Sequence, residues 1–364
     1  MDVIFAGGGT GGHLYPALAI ARALVRLDPT VRPFFIGAER GIEKQILPTT
    51  EFPFALFPLH PLYRTEIGRN WTGIRQTLGS WSALGRTIQG RKPALVVGTG
   101  GYASGMAVAW AITHGVPTAQ AVADAIPGVT ARLTARWAKA LYLGFEAARA
   151  RIGAGADTAV LVTGNPIEPP PSPRPDRFAA REKFGLEADP TLQVVLVFGG
   201  SQGSDAINSA VGEWLSGPLP PTLRVIWAVG TRHYKSLKNR ESAQVRVRAY
   251  LSPISDAYAA ADLAVTRAGA MTCAELSAWG LPAILIPLPS AAADHQTGNA
   301  RAIAEAGAGE ILAQTAGFST LIGASVTRLL ADSVGLAKMS ERAREIGRDD
   351  AAQVIAKDIL TRFK

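Results

Sequence analysis

Histidine is the side chain that moves protons most readily near neutral pH, and His13 stands at the end of a turn suited to an anion. It closes Phe5-Ala6-Gly7-Gly8-Gly9-Thr10-Gly11-Gly12-His13, which follows the apolar run Val3-Ile4-Phe5 and enters Leu14 to Ala21, apolar at helical spacing. In such a strand-to-helix turn, glycines let the backbone approach a ligand, and the N–H groups and positive dipole end of the helix favour a phosphate. An imidazole there can take a proton from an attacking hydroxyl, although a histidine at a helix start also caps or packs. Gly7-x-Gly9-x-x-Gly12 fits a dinucleotide fingerprint, but the acid that should hold the ribose comes only as Glu39, late and beyond the second strand, which disfavours a nicotinamide enzyme.

The second candidate group is Thr266-Arg267-Ala268-Gly269-Ala270-Met271-Thr272-Cys273-Ala274-Glu275, another strand-to-helix junction. A carboxylate one turn inside such a helix can accept from both hydroxyls of a ribose, while Ala270, Met271 and Thr272 present N–H groups to phosphate. The same Glu275 could merely stabilise a helix start. A third cluster, Asp294-His295-Gln296-Thr297-Gly298-Asn299, offers amides and an imidazole that can bind sugar hydroxyls or cap a helix. With Cys273 the single cysteine and no third ligand at metal spacing, neither a disulfide nor a structural zinc is expected.

These groups need a scaffold, and the alternation of short apolar runs with helical stretches supplies one. Strands are expected at Val3-Ile4-Phe5, Arg32 to Gly37, Ala94 to Gly98 and, more weakly, from Pro117, before a helical stretch from Thr130 to Leu143. Six prolines between Pro166 and Pro175 make an extended linker. Beyond it Leu192 to Phe198 runs into Gly199-Gly200-Ser201-Gln202-Gly203-Ser204, and further strands follow at Leu223 to Ala228, Val245 to Leu251, Leu263 to Thr266 and Pro282 to Pro287. The reading is α/β: two Rossmann-like, doubly wound parallel-sheet domains, each headed by a glycine turn, facing across a cleft.

Ala94 to Ala123 carries no charge but is broken by glycines and Pro117, so it reads as a buried strand, loop and helix rather than a membrane span. Met1-Asp2-Val3 is expected to enter the first strand at once, so no secretory signal is expected, and the lone cysteine suits a reducing cytosol. The net charge of +8 calls for an anionic partner, and +5 of it falls between His60 and Lys92. There Trp71, Ile74, Leu78, Trp81, Leu84 and Ile88 recur at helical steps among arginines. That pattern suits an anionic membrane or, equally, a core-packed face with a solvated basic rim.

Taken in order, the loops resemble those of the MurG glycosyltransferases. The resemblance rests on Gly7 to His13, Gly100-Gly101-Tyr102-Ala103-Ser104-Gly105, Gly164-Asn165-Pro166, Gly199 to Gly203, Arg267 to Thr272 with Glu275, and Asp294-His295-Gln296 with Asn299. It implies a GT-B fold, with an acceptor- and membrane-binding domain over 1–165, a UDP-sugar domain over 166–344, and a C-terminal helix near 345–364 packing back on the first. It further implies an inverting transfer, without cofactor or metal, from UDP-N-acetylglucosamine to the 4-hydroxyl of a lipid-linked diphosphate acceptor, undecaprenyl-diphosphate N-acetylmuramyl pentapeptide. Glu275 would hold the ribose and the Leu251 backbone the uracil; Ser201, Gln202, Ala270, Met271 and Thr272 would hold the donor diphosphate, and Gln296 and Asn299 would read the sugar. Thr10, Gly11, Gly12 and Tyr102 would receive the acceptor diphosphate, with His13 as base or Asp124 in its place.

The resemblance also assigns the stretch that begins at Leu62 and ends at Leu84 to an anionic membrane surface. The enzyme would then be cytoplasmic and peripheral on the inner face of the plasma membrane, with no nucleic-acid partner. The chain departs from the family at Ala121-Val122-Ala123-Asp124, where His-Glu-Gln-Asn is usual, and at Glu168, where an arginine is common. Both departures concern the acceptor side or the hinge. They motivate two alternatives: a different lipid or small-molecule acceptor, or a UDP-sugar-binding protein without turnover.

Overall fold

The computed structural model describes residues 1–59, 67–200, 202–315 and 317–364, with the backbone alone over 67–78. The chain divides into two compact units, Met1–Glu168 with Asp350–Lys364, and Pro169–Asp349.

In the first unit seven parallel strands, β1 (Asp2–Gly7), β2 (Arg32–Ala38), β3 (Phe54–Phe57), β4 (Leu95–Gly100), β5 (Thr118–Val122), β6 (Ala140–Leu143) and β7 (Ala159–Val162), lie in the order β3-β2-β1-β4-β5-β6-β7. The helices are α1 (Gly11–Leu27), α2 (Glu43–Ile46), α3 (Ile67–Arg91), α4 (Gly101–Thr113) and α5 (Val129–Thr134). Successive strand residues point to opposite faces, and both faces are covered. Phe5 and Phe35 pack with Leu14, Ile20 and Leu24 of α1. Ile4 and Ile36 pack on the other face with Leu84, Ile88, Val108 and Trp110 of α3 and α4. The last helix of the chain, Ala351–Phe363, returns to this unit, burying Ile355 and Ile359 against α1. There Asp358 accepts from the Tyr142 hydroxyl at 2.8 Å.

Two expectations change here. The helical stretch from Thr130 stops at Thr134, and Ala140–Leu143 is a strand, buried throughout and paired with β5. A spacing that suits a helix is overruled where both faces of a strand can be buried and its backbone joins a ladder. The apolar face of the basic helix also proves partly spent on the core. Leu84 and Ile88 are fully buried, Trp81 packs beside them, and the Arg91 guanidinium lies over the Phe34 ring. Positions 62–66 and the side chains of Trp71, Ile74 and Leu78 lie outside the described residues.

In the second unit β8 (Gln193–Phe198), β9 (Leu223–Ala228), β10 (Val245–Arg248), β11 (Leu263–Thr266), β12 (Ala283–Leu285) and β13 (Gly309–Ile311) form a parallel sheet ordered β10-β9-β8-β11-β12-β13. Its helices are α6 (Arg177–Lys183), α7 (Asp205–Trp214), α8 (Thr231–Leu237), α9 (Ile254–Ala260), α10 (Ala270–Trp279), α11 (His295–Glu305), α12 (Phe318–Ala331) and α13 (Ser333–Ile346), which makes Ala351–Phe363 α14. Both sheets reverse their winding beside the first strand, between β1 and β4 and between β8 and β11. Loops leaving the carboxyl ends of strands at such a reversal are where doubly wound sheets hold ligands. Among the described residues no single helix is long and apolar enough to cross a membrane.

Candidate active site

In the first unit the glycine turn after β1 and the start of α4 after β4 pack on each other. A side chain at Gly101 (φ 80°) would strike the Gly8 carbonyl, and one at Gly100 (φ 105°) would strike the His13 ring, so both positions require glycine. Tyr102 lies over Gly9, and the Thr99 hydroxyl donates to the His13 carbonyl at 2.7 Å. His13 Nδ1 is 3.0 Å from the Gly8 carbonyl and 3.3 Å from the Thr10 hydroxyl. A carbonyl only accepts, so Nδ1 carries the proton and Nε2 is the basic nitrogen. Thr10 is the exposed N-cap of α1, and Gly11 and Gly12 open the helix. Asp124 follows β5, where Asn165 Nδ2 donates to the Ala123 carbonyl at 3.0 Å. Glu168 lies 3.8 Å from both Arg22 and Arg26 of α1, so its charge is answered by two guanidiniums.

One functional residue escaped the sequence reading. Glu43 is fully buried beneath the glycine turn, its Oε2 accepting from Gly9 N at 2.9 Å and its Oε1 from Ala38 N at 3.0 Å. Side chains at Gly8, Gly37 or Gly41 would collide with it. The available signal is the spacing Gly37-x-x-x-Gly41-x-Glu43, glycines clearing room for one carboxylate. Glu43→Gln turns one of two acceptors into a donor facing an N–H. The expected cost is about 1–3 kcal/mol, read as a lower Tm by calorimetry. An unchanged Tm would remove Glu43 as the support of the turn.

In the second unit Ala270, Met271 and Thr272 form the first turn of α10, the positive end of its dipole, and Glu275 follows one turn on. Glu275 Oε2 accepts from the Tyr258 hydroxyl at 2.7 Å, and Tyr258 is buried between Phe198 and Trp279. Burial pushes the Glu275 pKa up, opposed in part by the Tyr258 hydrogen bond; burial, with the neighbouring Glu275 charge, pushes Tyr258 well above its ordinary value. Gln202 is exposed in the turn after β8, whereas Ser201 lies outside the described residues. Leu251 is buried past the end of β10. Gln296 Oε1 accepts from Leu288 N at 3.0 Å. Asn299 is fully buried, and its Nδ2 donates to the Ala268 carbonyl at 3.1 Å, holding the loop before α10.

Residues 3–143 match the glycosyltransferase family 28 N-terminal domain and residues 194–357 the family 28 C-terminal domain. A protein of Chlorobaculum tepidum, a UDP-N-acetylglucosamine–N-acetylmuramyl-(pentapeptide) pyrophosphoryl-undecaprenol N-acetylglucosamine transferase, is 38% identical over 375 residues, covering all of both chains. A Salinibacter ruber protein of the same name is 38% identical over 98% of this chain and 96% of its own. Among solved structures, Acinetobacter baumannii MurG aligns over 99% of both chains with a TM-score of 0.75 and 25% identity. The complex of S. aureus MnaA with UDP shares the fold at 16% identity, with a TM-score of 0.72 over 99% of this chain and 96% of that one.

Proposed function

The chain belongs to glycosyltransferase family 28, to the MurG transferases within it, and from that premise we propose how its two units divide the reaction. It moves N-acetylglucosamine from UDP-N-acetylglucosamine to the lipid-linked N-acetylmuramyl pentapeptide, the step from lipid I to lipid II. The observation that carries the division of labour is the second unit's pairing of a helix start at Ala270-Met271-Thr272 with the half-buried carboxylate of Glu275, one for a diphosphate and one for a ribose. Gln202 and Ser201 join the diphosphate site, the Leu251 backbone meets the uracil, and Gln296 and Asn299 read the sugar, Asn299 also holding the loop before α10.

The first unit takes the acceptor diphosphate on Thr10, Gly11, Gly12 and the loop of Tyr102. His13 Nε2 accepts the proton of the 4-hydroxyl as its oxygen bonds to the anomeric carbon and the bond to UDP breaks. The charge that develops on UDP meets the donors of the second unit. Attack opposite the leaving group inverts the α-linked donor to a β-linked product.

The enzyme works from the cytoplasm on the inner face of the plasma membrane. The net +5 around the stretch from Leu62 to Leu84 supports this, as does an exposed group in the first unit. Leu133 and Trp137 are 66% and 52% exposed, Arg132 and Arg136 stand beside them, and Arg136 lies 4.8 Å over the Trp137 ring. No nucleic-acid partner is proposed.

With UDP-N-acetylglucosamine and the acceptor in anionic vesicles, the protein is expected to co-sediment, release UDP and form the disaccharide lipid. Binding of UDP without turnover would instead mark a sugar-nucleotide-binding protein, and turnover with another acceptor alone would trace to Ala121–Asp124. Equal sedimentation with neutral vesicles would remove the charge-based docking.

A further inference from the structure

Arg267 follows β11 directly, and its residue is 8% exposed. Its Nη1 donates to the carbonyls of Ile286 and Pro287 at 3.2 and 3.1 Å, and its Nη2 donates to Ser204 Oγ and Gln314 Oε1, both at 2.8 Å. All four acceptors are uncharged, and Arg267 enters no ion pair among the described residues. Arg181, the other deeply buried guanidinium, is built differently: it meets the Asp262 carboxylate at 2.8 Å. Burial lowers the Arg267 pKa, yet a guanidinium keeps its proton, so a net positive charge sits inside the second unit without a counter-ion among the described residues.

Its position gives that charge a use. The acceptors belong to the segments leaving β8, β12 and β13, and Arg267 itself leaves β11, so one side chain ties together four carboxyl-end loops at the winding reversal. Ser204, which it grips, caps α7 through Ile207 N, and the loop that continues from Arg267 starts α10. We propose that Arg267 is a positioning residue whose missing counter-ion is the diphosphate of the bound nucleotide. It holds the loops in place by hydrogen bonds and favours the anion through its field, without touching it. This rests on the donor site proposed for the second unit.

UDP and uridine share base and ribose and differ in the diphosphate, so their affinities separate the charge from the clamp. In Arg267→Gln, calorimetric UDP affinity is expected to fall about tenfold relative to uridine, since a unit charge acting across a few ångströms of partly shielded protein has that order of effect. Arg267→Lys keeps the charge and loses the fork of hydrogen bonds; it should weaken both ligands while keeping the wild-type ratio of UDP to uridine affinity. A clamp alone predicts equal losses for both ligands in both variants, and that result would overturn the proposal. So would unchanged binding. If Arg267→Gln fails to fold, Arg267→Lys decides through pH: the field predicts that its ratio of UDP to uridine affinity falls, relative to the unaltered protein, as alkali deprotonates the lysine, and a ratio that stays level refutes the field. Wild-type protein that binds uridine but gains nothing from the diphosphate would defeat the donor-site reading itself, a failure distinct from the others.

Discussion

His13→Ala is expected to lower kcat by about 10²–10⁴-fold, the usual worth of a positioned general base, while leaving calorimetric UDP affinity essentially unchanged. The separation follows from the proposed division of labour: His13 sits in the first unit, and the groups proposed to hold the nucleotide belong to the second. The imidazole is set up for the task. Gly8 fixes the proton on Nδ1, Gly100 leaves space for the ring, and Thr99 holds the backbone behind it. His13→Gln, which keeps an amide able to bond the Gly8 carbonyl but has no basic nitrogen, should be nearly as inactive as alanine. A loss below about tenfold in both would transfer the base role away from His13, with Asp124 next in line. A parallel loss of UDP affinity would show instead that the first unit shapes the nucleotide site.

How far such a site can be read from sequence depends on the range of the forces that build it. The winding of both sheets was legible because strands buried on two faces are continuous apolar runs, as in Leu192 to Phe198, and glycine turns mark where they end. The strands β3, β6, β7 and β13 were not: each has only three or four residues, and β6, though buried throughout, lies in a run whose spacing also suits a helix. Glu43 was invisible for a related reason. A glutamate is usually solvated, and the Gly9 N–H that accounts for its burial lies 34 residues away. The basic helix shows the opposite limit: an amphipathic face reads the same whether it meets lipid or core, and only the fold reveals that Leu84 and Ile88 face inward. Glu275 and the start of α10 were accessible because spacing within one helix fixes their relation. The Tyr258 hydroxyl, from the preceding helix, was not.

Glu275, the partner of that tyrosine, carries the second prediction: burial raises its pKa and the Tyr258 hydrogen bond offsets only part of the rise, so its ionised form is expected to lower the stability of the ligand-free protein. Its pKa is raised by burial, so the folded chain binds this proton more tightly than the unfolded chain. The sign follows: the group favours folding below the ordinary carboxylate value and withdraws that support as pH rises through the raised one. At neutral pH the half-buried carboxylate is therefore expected to lower stability until the ribose hydroxyls of the proposed site donate to it. Glu275→Gln should raise the Tm of the ligand-free protein at neutral pH, since the amide oxygen still accepts from Tyr258 and no charge is buried. The same change should weaken UDP binding by about 10- to 100-fold, the worth of hydrogen bonds to a charged acceptor. In the unaltered protein, UDP affinity should decline on acidification from above the ordinary carboxylate range, and the decline should be absent in Glu275→Gln. Stability and affinity thus move in opposite directions on one substitution. A variant that loses both would mark Glu275 as a structural carboxylate, and one that keeps full UDP affinity would move the ribose elsewhere in the unit.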